Sequence, residues 1–226
     1  MILDNQSADK KVHQWINEYT RDGSIDAVTG YFTVGALAFL SDQINDRINR
    51  FRFIIGDIVR TEVTDERPLD LLNESLTVDG ALNLKGAAVK AVEFLRQNKV
   101  KTKTLEPNFC HAKFWLFHGP EAPENYFITG SSNLTTAGLG LKPTHNIELN
   151  SVGQGTHSDY NELKNWFSDL WERPEASFKK TVGGRKVDFK QYLINEISRI
   201  FIEYTPRDLY YKTLFEMFGR PLMQFQ

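Results

Sequence analysis

Apolar residues recur along this chain with two periods, and the switching between them predicts the order of its elements. Trp15 and Tyr19 mark a short helix over Val12–Tyr19. Ser24–Thr33 reads as a buried strand running into a glycine-containing turn. Gly35–Asn49 has helical period, with Leu37, Leu40, Ile44 and Ile48 on one face. Phe51–Gly56 is a second strand. Strand, helix, strand is a βαβ unit, which calls for a parallel or mixed sheet covered by helices. A helix over Pro68–Leu76 opens on a proline whose missing N–H is harmless in a first turn. Another spans Leu84–Gln97, turning Leu84, Ala88, Val92 and Leu95 inward.

Val100–Leu105 is a third strand, and Lys99, Lys101 and Lys103 share one of its sides. That is the pattern of an edge guarded by lysines, preferred here over a phosphate-contacting stripe. Phe114–Phe117 marks a core strand, joined through the loop Gly119–Asn125 to a strand over Tyr126–Thr129 as a hairpin. Glu121 and Glu124 turn the tip of that loop away from any polyanion. His157–Arg173 is an amphipathic helix with Tyr160, Leu163, Trp166, Phe167, Leu170 and Trp171 on its apolar side, stopped by Pro174. Phe178–Lys186 contains glycine and carries Lys179, Lys180, Arg185 and Lys186. It reads equally as a mobile basic contact to a nucleic-acid backbone or as a solvated linker. Helices are expected over Phe189–Tyr204 and Thr205–Phe218, the second capped by Thr205, with Pro206 in its first turn and Gly219 after it. The expected division is an α/β domain over residues 1–175 and a helical extension over 176–226.

Against this pattern, the stretch Phe109–Asn150 puts polar residues where a sheet should be apolar. Strand alternation places His111 and Lys113 on one side, about 7 Å apart. Burying either without a partner costs several kcal/mol. Gly130-Ser131-Ser132-Asn133 is a turn whose backbone N–H groups and Asn133 amide are expected to be free for an anion. Asn146, Glu148 and Asn150 are expected to share one strand face, with Ile147 and Leu149 on the other. Each feature alone has a plain structural reading: a core histidine, a snorkelling lysine, an edge glutamate, a turn. Their conjunction, in order and with matching parity, points to a site.

Hydrophobic content of 41% and charged content of 25% are those of a globular protein, and the formal net charge of −2 means that any phosphate-binding surface is local. The one cysteine, Cys110, excludes an internal disulfide and a cysteine-rich zinc site. No apolar run reaches the roughly 20 residues that span a bilayer, and no signal peptide opens the chain, so a cytoplasmic location without membrane partners is expected. A nucleotide-binding GxxxxGK[ST] loop is absent from the sequence.

His-x-Lys on a strand, followed by GSSNLTTAGL and NIELN, resembles the phospholipase D superfamily, and within it the single-motif nuclease branch. The resemblance implies an α/β/α layered fold with a central mixed β-sheet, here followed by the helical extension. The family pattern carries an Asp five residues after the lysine. This chain has His118 there, on the strand face opposite His111 and Lys113. The flanks IDAVTGYFTVGALAFLSDQI, RFRFIIGD and DLYYKTLFEMFG are similar to the phospholipase D-like region that precedes the motor in bacterial helicase-like proteins. That similarity implies a partner helicase motor in the parent chain and a role in restriction or defence.

Phosphodiester cleavage needs a nucleophile, an acid for the leaving oxygen, and donors for the phosphoryl oxygens. Imidazole, with an unperturbed pKa of about 6.5, serves as nucleophile and acid–base. Lys113, Asn133, Ser131 and Ser132 supply donors, and Glu148 can orient His111. The resemblance implies a phosphohistidine intermediate and no metal or other cofactor. A hard divalent cation usually wants more oxygen ligands than one carboxylate. The motif occurs once, yet two histidines are required, so a homodimer with a shared site is expected, acting on DNA with RNA as the alternative. Trp115 and Phe117 either help line that interface or are plain core. A second reading is an inactive nucleic-acid-binding or dimerisation module that kept the fold, and a third, disfavoured one is a phospholipid hydrolase.

Overall fold

The computed structural model describes residues 1–55, 78–108, 110–143 and 147–198, with backbone alone over 78–84 and at 122. The helices expected over Pro68–Leu76 and Thr205–Phe218, the end of the one expected over Phe189–Tyr204, and Asn146 lie outside the described residues.

The described chain opens with β1 (Ile2–Leu3), α1 (Val12–Tyr19), β2 (Gly23–Thr29), α2 (Val34–Gln43) and β3 (Ile48–Ile55). It continues through α3 (Val78–Arg96), β4 (Val100–Leu105), β5 (Phe114–His118), β6 (Tyr126–Gly130) and β7 (Asn150–Gln154). Then come α4 (Ser158–Glu172), β8 (Ala176–Ser177), β9 (Lys179–Val182), β10 (Arg185–Asp188) and α5 (Phe189–Ile197). One eight-stranded sheet has the order β1-β7-β6-β5-β2-β3-β4-β8. β2, β3 and β4 run parallel, as the βαβ pattern requires, and the remaining pairs are antiparallel.

Alternation along the strands sorts the core onto two sides. Ile25, Ala27, Phe51, Phe53, Trp115, Phe117 and Ile128 pack with α1, α2, α3 and α5. Val28, Ile54, Phe114, Leu116 and Phe127 pack with α4 through Tyr160, Phe167, Leu170 and Trp171. The result is the expected α/β/α layering. Trp115 and Phe117 are core: both are buried beneath the helices of the first side, where burial of an aromatic ring is worth roughly 2–3 kcal/mol.

The structure revises several boundaries. The helix expected over Gly35–Asn49 ends at Gln43, and a 3₁₀ turn over Asn45–Arg47 swings the chain into β3. Ile48 is therefore the first residue of that strand, paired with Gly23, and not the last turn of a helix. β4 is not the lysine-guarded edge expected, because β8 pairs with it, and Lys99 and Lys103 turn to backbone carbonyls. The Lys99 ammonium donates to the carbonyls of Asn45 and Ile48. Lys103 is buried, donates to the Trp171 carbonyl at the end of α4, and lies 4.8 Å from the Trp171 and Phe178 rings. That amine satisfies an orphan carbonyl of a helix terminus.

Past residue 175 the expected helical extension begins instead with strands. β8 joins the main sheet, and Lys179–Asp188 folds into the hairpin β9–β10. Its turn, Gly183-Gly184, has positive φ at both positions (55° and 77°), the geometry of the tight hairpin turn that glycine adopts without strain. This basic stretch is therefore neither a linker nor an irregular loop. α5 returns Phe189, Leu193, Ile194 and Ile197 to the same core as α2 and α3.

Candidate active site

The carboxyl ends of β2 and β6 and the amino ends of β5 and β7 lie at one end of the sheet, because Val28 pairs with Phe114, Phe114 with Thr129, and Gly130 with Asn150. Segments far apart in sequence are thereby brought to one cleft. It has a volume of about 1140 Å³ and is lined by His111, Lys113, Ser131, Asn133 and Glu148 among others.

His111 and Lys113 do not lie on the strand, contrary to expectation. β5 starts at Phe114, and the residues before it lie beyond the last β2 pairing. The Lys113 carbonyl still accepts from the Gly130 N–H at 3.2 Å, which anchors the segment against β6. His111 is exposed, whereas Lys113 is buried at 8% and its ammonium donates to the His111 carbonyl at 2.7 Å. Burial pulls the Lys113 pKa below the ordinary lysine value, against the opposing influence of Cys110 and Glu148. The amine is thus held at the cleft by its bond to the His111 carbonyl, with little water around it.

β6 ends in Gly130, where a Cβ would sit 2.3 Å from the Leu149 carbonyl oxygen and 2.6 Å from the Asn150 Cα. Only glycine lets the two segments approach this closely. Two N–H groups of the following turn are engaged within the protein. Ser131 N–H donates to the Leu149 carbonyl at 3.1 Å, and Ser132 N–H to Asn150 Oδ1 at 3.1 Å. The two hydroxyls go to Glu148 Oε2, from Ser131 directly and from Ser132 at 3.3 Å. Ser131 and Ser132 therefore brace Glu148 in this structure. Asn133 differs: its Oδ1 accepts the Tyr31 N–H at 3.2 Å, which leaves the amide's Nδ2 edge for the cleft.

Glu148 precedes β7, and the strand expected through 146–150 begins only at Asn150. Ile147 and Leu149 accordingly stand in solvent, at 91% and 61% exposure, where an apolar strand face was expected. Asn150 is buried and returns a hydrogen bond from its Nδ2 to Ser132 Oγ at 2.9 Å. Behind it, Asn5 accepts the Val12 N–H at 2.9 Å and donates to the Gly138 carbonyl at 2.7 Å. Thr29 Oγ1 accepts the Leu134 N–H at 3.0 Å, tying the end of β2 to the same loop. These braces carry no signal in sequence beyond being polar and near an element end.

The facing wall comes from α4. Asp159, Glu162, Leu163 and Trp166 line the cleft at helical spacing, and the Trp166 ring meets Phe114 edge-on at 5.5 Å. Periodicity alone puts Leu163 and Trp166 on the apolar side of this helix, because it does not distinguish core from cleft.

His118 faces away from this cleft. Its Nε2 lies 2.8 Å from Asp26 Oδ2 and its Nδ1 bonds the Tyr160 hydroxyl. Asp26 in turn accepts two bonds from the Arg52 guanidinium, at 2.7 and 2.6 Å, and that guanidinium lies 4.9 Å from the Phe167 ring and 5.4 Å from that of Trp171. Burial opposes ionisation of Asp26 and is the largest single influence. The bonds from His118 and Arg52 nevertheless hold its carboxyl below the ordinary aspartate value. Burial also pushes the Tyr160 phenol up.

The basic hairpin stands outside the cleft. Thr181 of β9 donates to Glu106, just past the carboxyl end of β4, so the glycine tip rises at the end of the sheet that holds the site. Lys179, Lys180, Arg185 and Lys186 ride on it at the opposite edge of the sheet from β7. Among the described residues no three His, Cys, Asp or Glu side chains cluster as metal ligands would, and no helix is long and apolar enough to cross a membrane.

Residues 71–171 match the family model described as cardiolipin synthase, phospholipase D-like domain. Among solved structures, the chain resembles Nuc, a phospholipase D family member from Salmonella typhimurium, at 14% identity and a TM-score of 0.50, over 78% of this chain and 95% of that one. It resembles NucT from Helicobacter pylori at 10% identity and a TM-score of 0.47, over 78% and 96%. A phosphatidylserine synthase from Haemophilus influenzae aligns at 14% identity and a TM-score of 0.49, over 94% of this chain and 46% of that one. No curated protein matches the chain.

Proposed function

We propose that the chain is a metal-independent phosphodiesterase that cleaves DNA, a reading supported by the match of residues 71–171 to a phospholipase D-like domain and by the likeness of its fold to Nuc. The observation that carries the reading is the convergence of His111, Lys113, Asn133 and Glu148, from three separate segments, on one cleft. In the proposed reaction an imidazole nitrogen of His111 attacks phosphorus. The bond to the leaving oxygen breaks, and that oxygen takes a proton from a second imidazolium. Water then attacks the phosphohistidine, gives its proton to the second imidazole, and the N–P bond breaks. Lys113 and the Asn133 amide face the charge that gathers on the phosphoryl oxygens, a contribution worth about 10²–10³ in rate per donor in comparable sites. Glu148, fixed by two serine hydroxyls, is the group suited to orient His111 or hold its imidazolium.

The second imidazole is assigned to the partner's His111 in a homodimer. Exposure of His111, with apolar Ile147 and Leu149 standing in solvent beside the cleft, supports a face covered by another copy. The hairpin residues Lys179, Lys180, Arg185 and Lys186 are assigned to the DNA backbone. Work in restriction or defence alongside a helicase motor is proposed from the sequence resemblance alone.

A catalytically silent DNA-binding module is the second reading, favoured by His118 standing where the family pattern has an acid. Against it, a carboxylate is present one strand away: Asp26 lies 2.8 Å from His118. The test is cleavage of mixed DNA substrates in EDTA by wild type and His111→Ala, with sedimentation at the assay concentration. Cleavage by a wild-type dimer that falls at least about 10³-fold in the variant is expected. Activity that requires added magnesium overturns the metal-free mechanism, and cleavage by a monomer overturns the shared site.

A further inference from the structure

We propose that the α4 wall of the cleft is a nucleobase-binding subsite, so that the enzyme takes single-stranded nucleic acid, or a strand with an unpaired base, with one base turned onto Trp166. This rests on the reading of the cleft as a phosphodiesterase site and names the substrate class that site accepts.

The two walls differ. Lys113 and the Asn133 amide stand at the strand ends, where the one carboxylate, Glu148, is engaged by the Ser131 and Ser132 hydroxyls. The α4 wall presents Asp159 and Glu162 beside Leu163 and Trp166, one stripe of the helix at i, i+3, i+4 and i+7. A phosphate chain cannot run along a wall that offers two carboxylates. With its phosphate at Lys113, a nucleotide therefore turns its neutral part toward α4. The apolar share of the lining fits a base: Phe114, Phe127, Ile147, Leu163 and Trp166 all reach the cleft.

Trp166 is the platform. It is 40% exposed, while its neighbour Phe167 is fully buried. Phe114, against whose ring it stands at 5.5 Å, directly follows Lys113. The indole thus packs one edge against Phe114 and lines the same cleft as the residue that takes the phosphate. Every base has a π-face, so such a platform binds without strict sequence demand. The Asp159 and Glu162 carboxylates add acceptors only. They suit bases carrying exocyclic amines over thymine, whose single ring N–H is its one donor. A paired duplex keeps its bases stacked and out of reach unless one is extruded.

The experiment uses the full chain as His111→Ala, so that binding is read without cleavage, in EDTA. Labelled ligands are a cytosine-rich single strand, its thymine-rich counterpart, an abasic strand of the same length and charge, and a blunt duplex. Expected are preference for the single strand over the abasic one, and for cytosine over thymine. Trp166→Ala should then lose about 5- to 150-fold on the base-bearing strands and nothing on the abasic strand. Trp166→Phe should keep most of the affinity, and Asp159→Asn with Glu162→Gln should erase the cytosine preference. Because the readout is a ratio between ligands, partial unfolding of a variant does not imitate it. Equal losses on base-bearing and abasic strands, or no loss on either, overturn the subsite. Cleavage by the wild type without base-dependent binding would leave the nuclease standing and the subsite refuted. Base-dependent binding without cleavage would do the reverse.

Discussion

On the α4 side of the sheet, Asp26, Arg52, His118 and Tyr160 close on one another. At the strand ends, His111, Lys113, Asn133 and Glu148 converge on a cleft. Both groups bring together a histidine, a basic side chain and a carboxylate, the first within an otherwise apolar sheet and the second just beyond its strand ends. In the first, the hydrogen bonds run within the protein, so burial is tolerated and the group locks three strands to one helix. In the second, Lys113 and Asn133 are held by bonds to backbone, and the Asn133 Nδ2 edge is left for a ligand. A polar cluster whose bonds are saturated is structure; one whose donors are positioned but not consumed is a candidate site.

Removing the hub of the first cluster should produce the largest change in stability. Asp26→Ala leaves the Arg52 charge, with 21% of its side chain accessible, without its carboxylate. Breaking a buried pair costs about 3–5 kcal/mol, which for a chain of this size lowers Tm by roughly 6–20 °C. His111→Ala, at an exposed position, should shift Tm by no more than about 2 °C while removing activity. Thermal unfolding of the two variants side by side checks the distinction, and equal Tm losses would erase it. The same carboxyl predicts an acid limb. Its folded pKa lies below the unfolded value, so its stabilisation is complete above about pH 3.9 and is lost as pH falls through the folded pKa. An Asp26→Asn variant should show a flatter loss of stability across that window.

His118→Ala sharpens the comparison from the other histidine. It removes bonds to Asp26 and Tyr160, at a cost of about 1.5–3 kcal/mol, with only a few-fold loss of cleavage. A kinetic loss as deep as that of His111→Ala, in a protein still folded by circular dichroism, would place His118 in the mechanism.

The smallest effect is expected at the hairpin. Replacing Lys179, Lys180, Arg185 and Lys186 by Gln should leave Tm nearly unchanged and weaken DNA binding. The slope of log affinity against log salt should shrink by about 0.7–0.9 for each phosphate that the variant no longer neutralises. An unchanged slope would return the hairpin to a purely structural part.

Much of this was legible in the chain. The α1 boundaries, the β2–α2–β3 crossover and the alternation of Phe114–His118 follow from backbone periods of 3.6 and 2, which any local stretch expresses on its own. Face parity alone separated His118 from His111. Four polar residues set into an apolar pattern marked the candidate site, because they forfeit burial that packing alone would have kept, and the fold brings them to one cleft. Partners were not readable. Ser131 and Ser132 look free in sequence, yet their donors are spent on Leu149, Asn150 and Glu148, because the close approach allowed by Gly130 brings those segments together. Leu163 and Trp166 share the apolar stripe of α4 with Phe167, and only the position of the strand ends beneath them makes them cleft wall.

Asp26 states the division most clearly. The sequence by itself determined that His118 takes the strand face opposite His111 and Lys113, and it singled out neither Asp26 nor Arg52. Only the strand order β5-β2-β3 set Asp26 between His118, 92 positions away, and Arg52, 26 positions away. Periodicity is local because it follows from bond geometry, whereas a charge finds its partner only when distant strands pair.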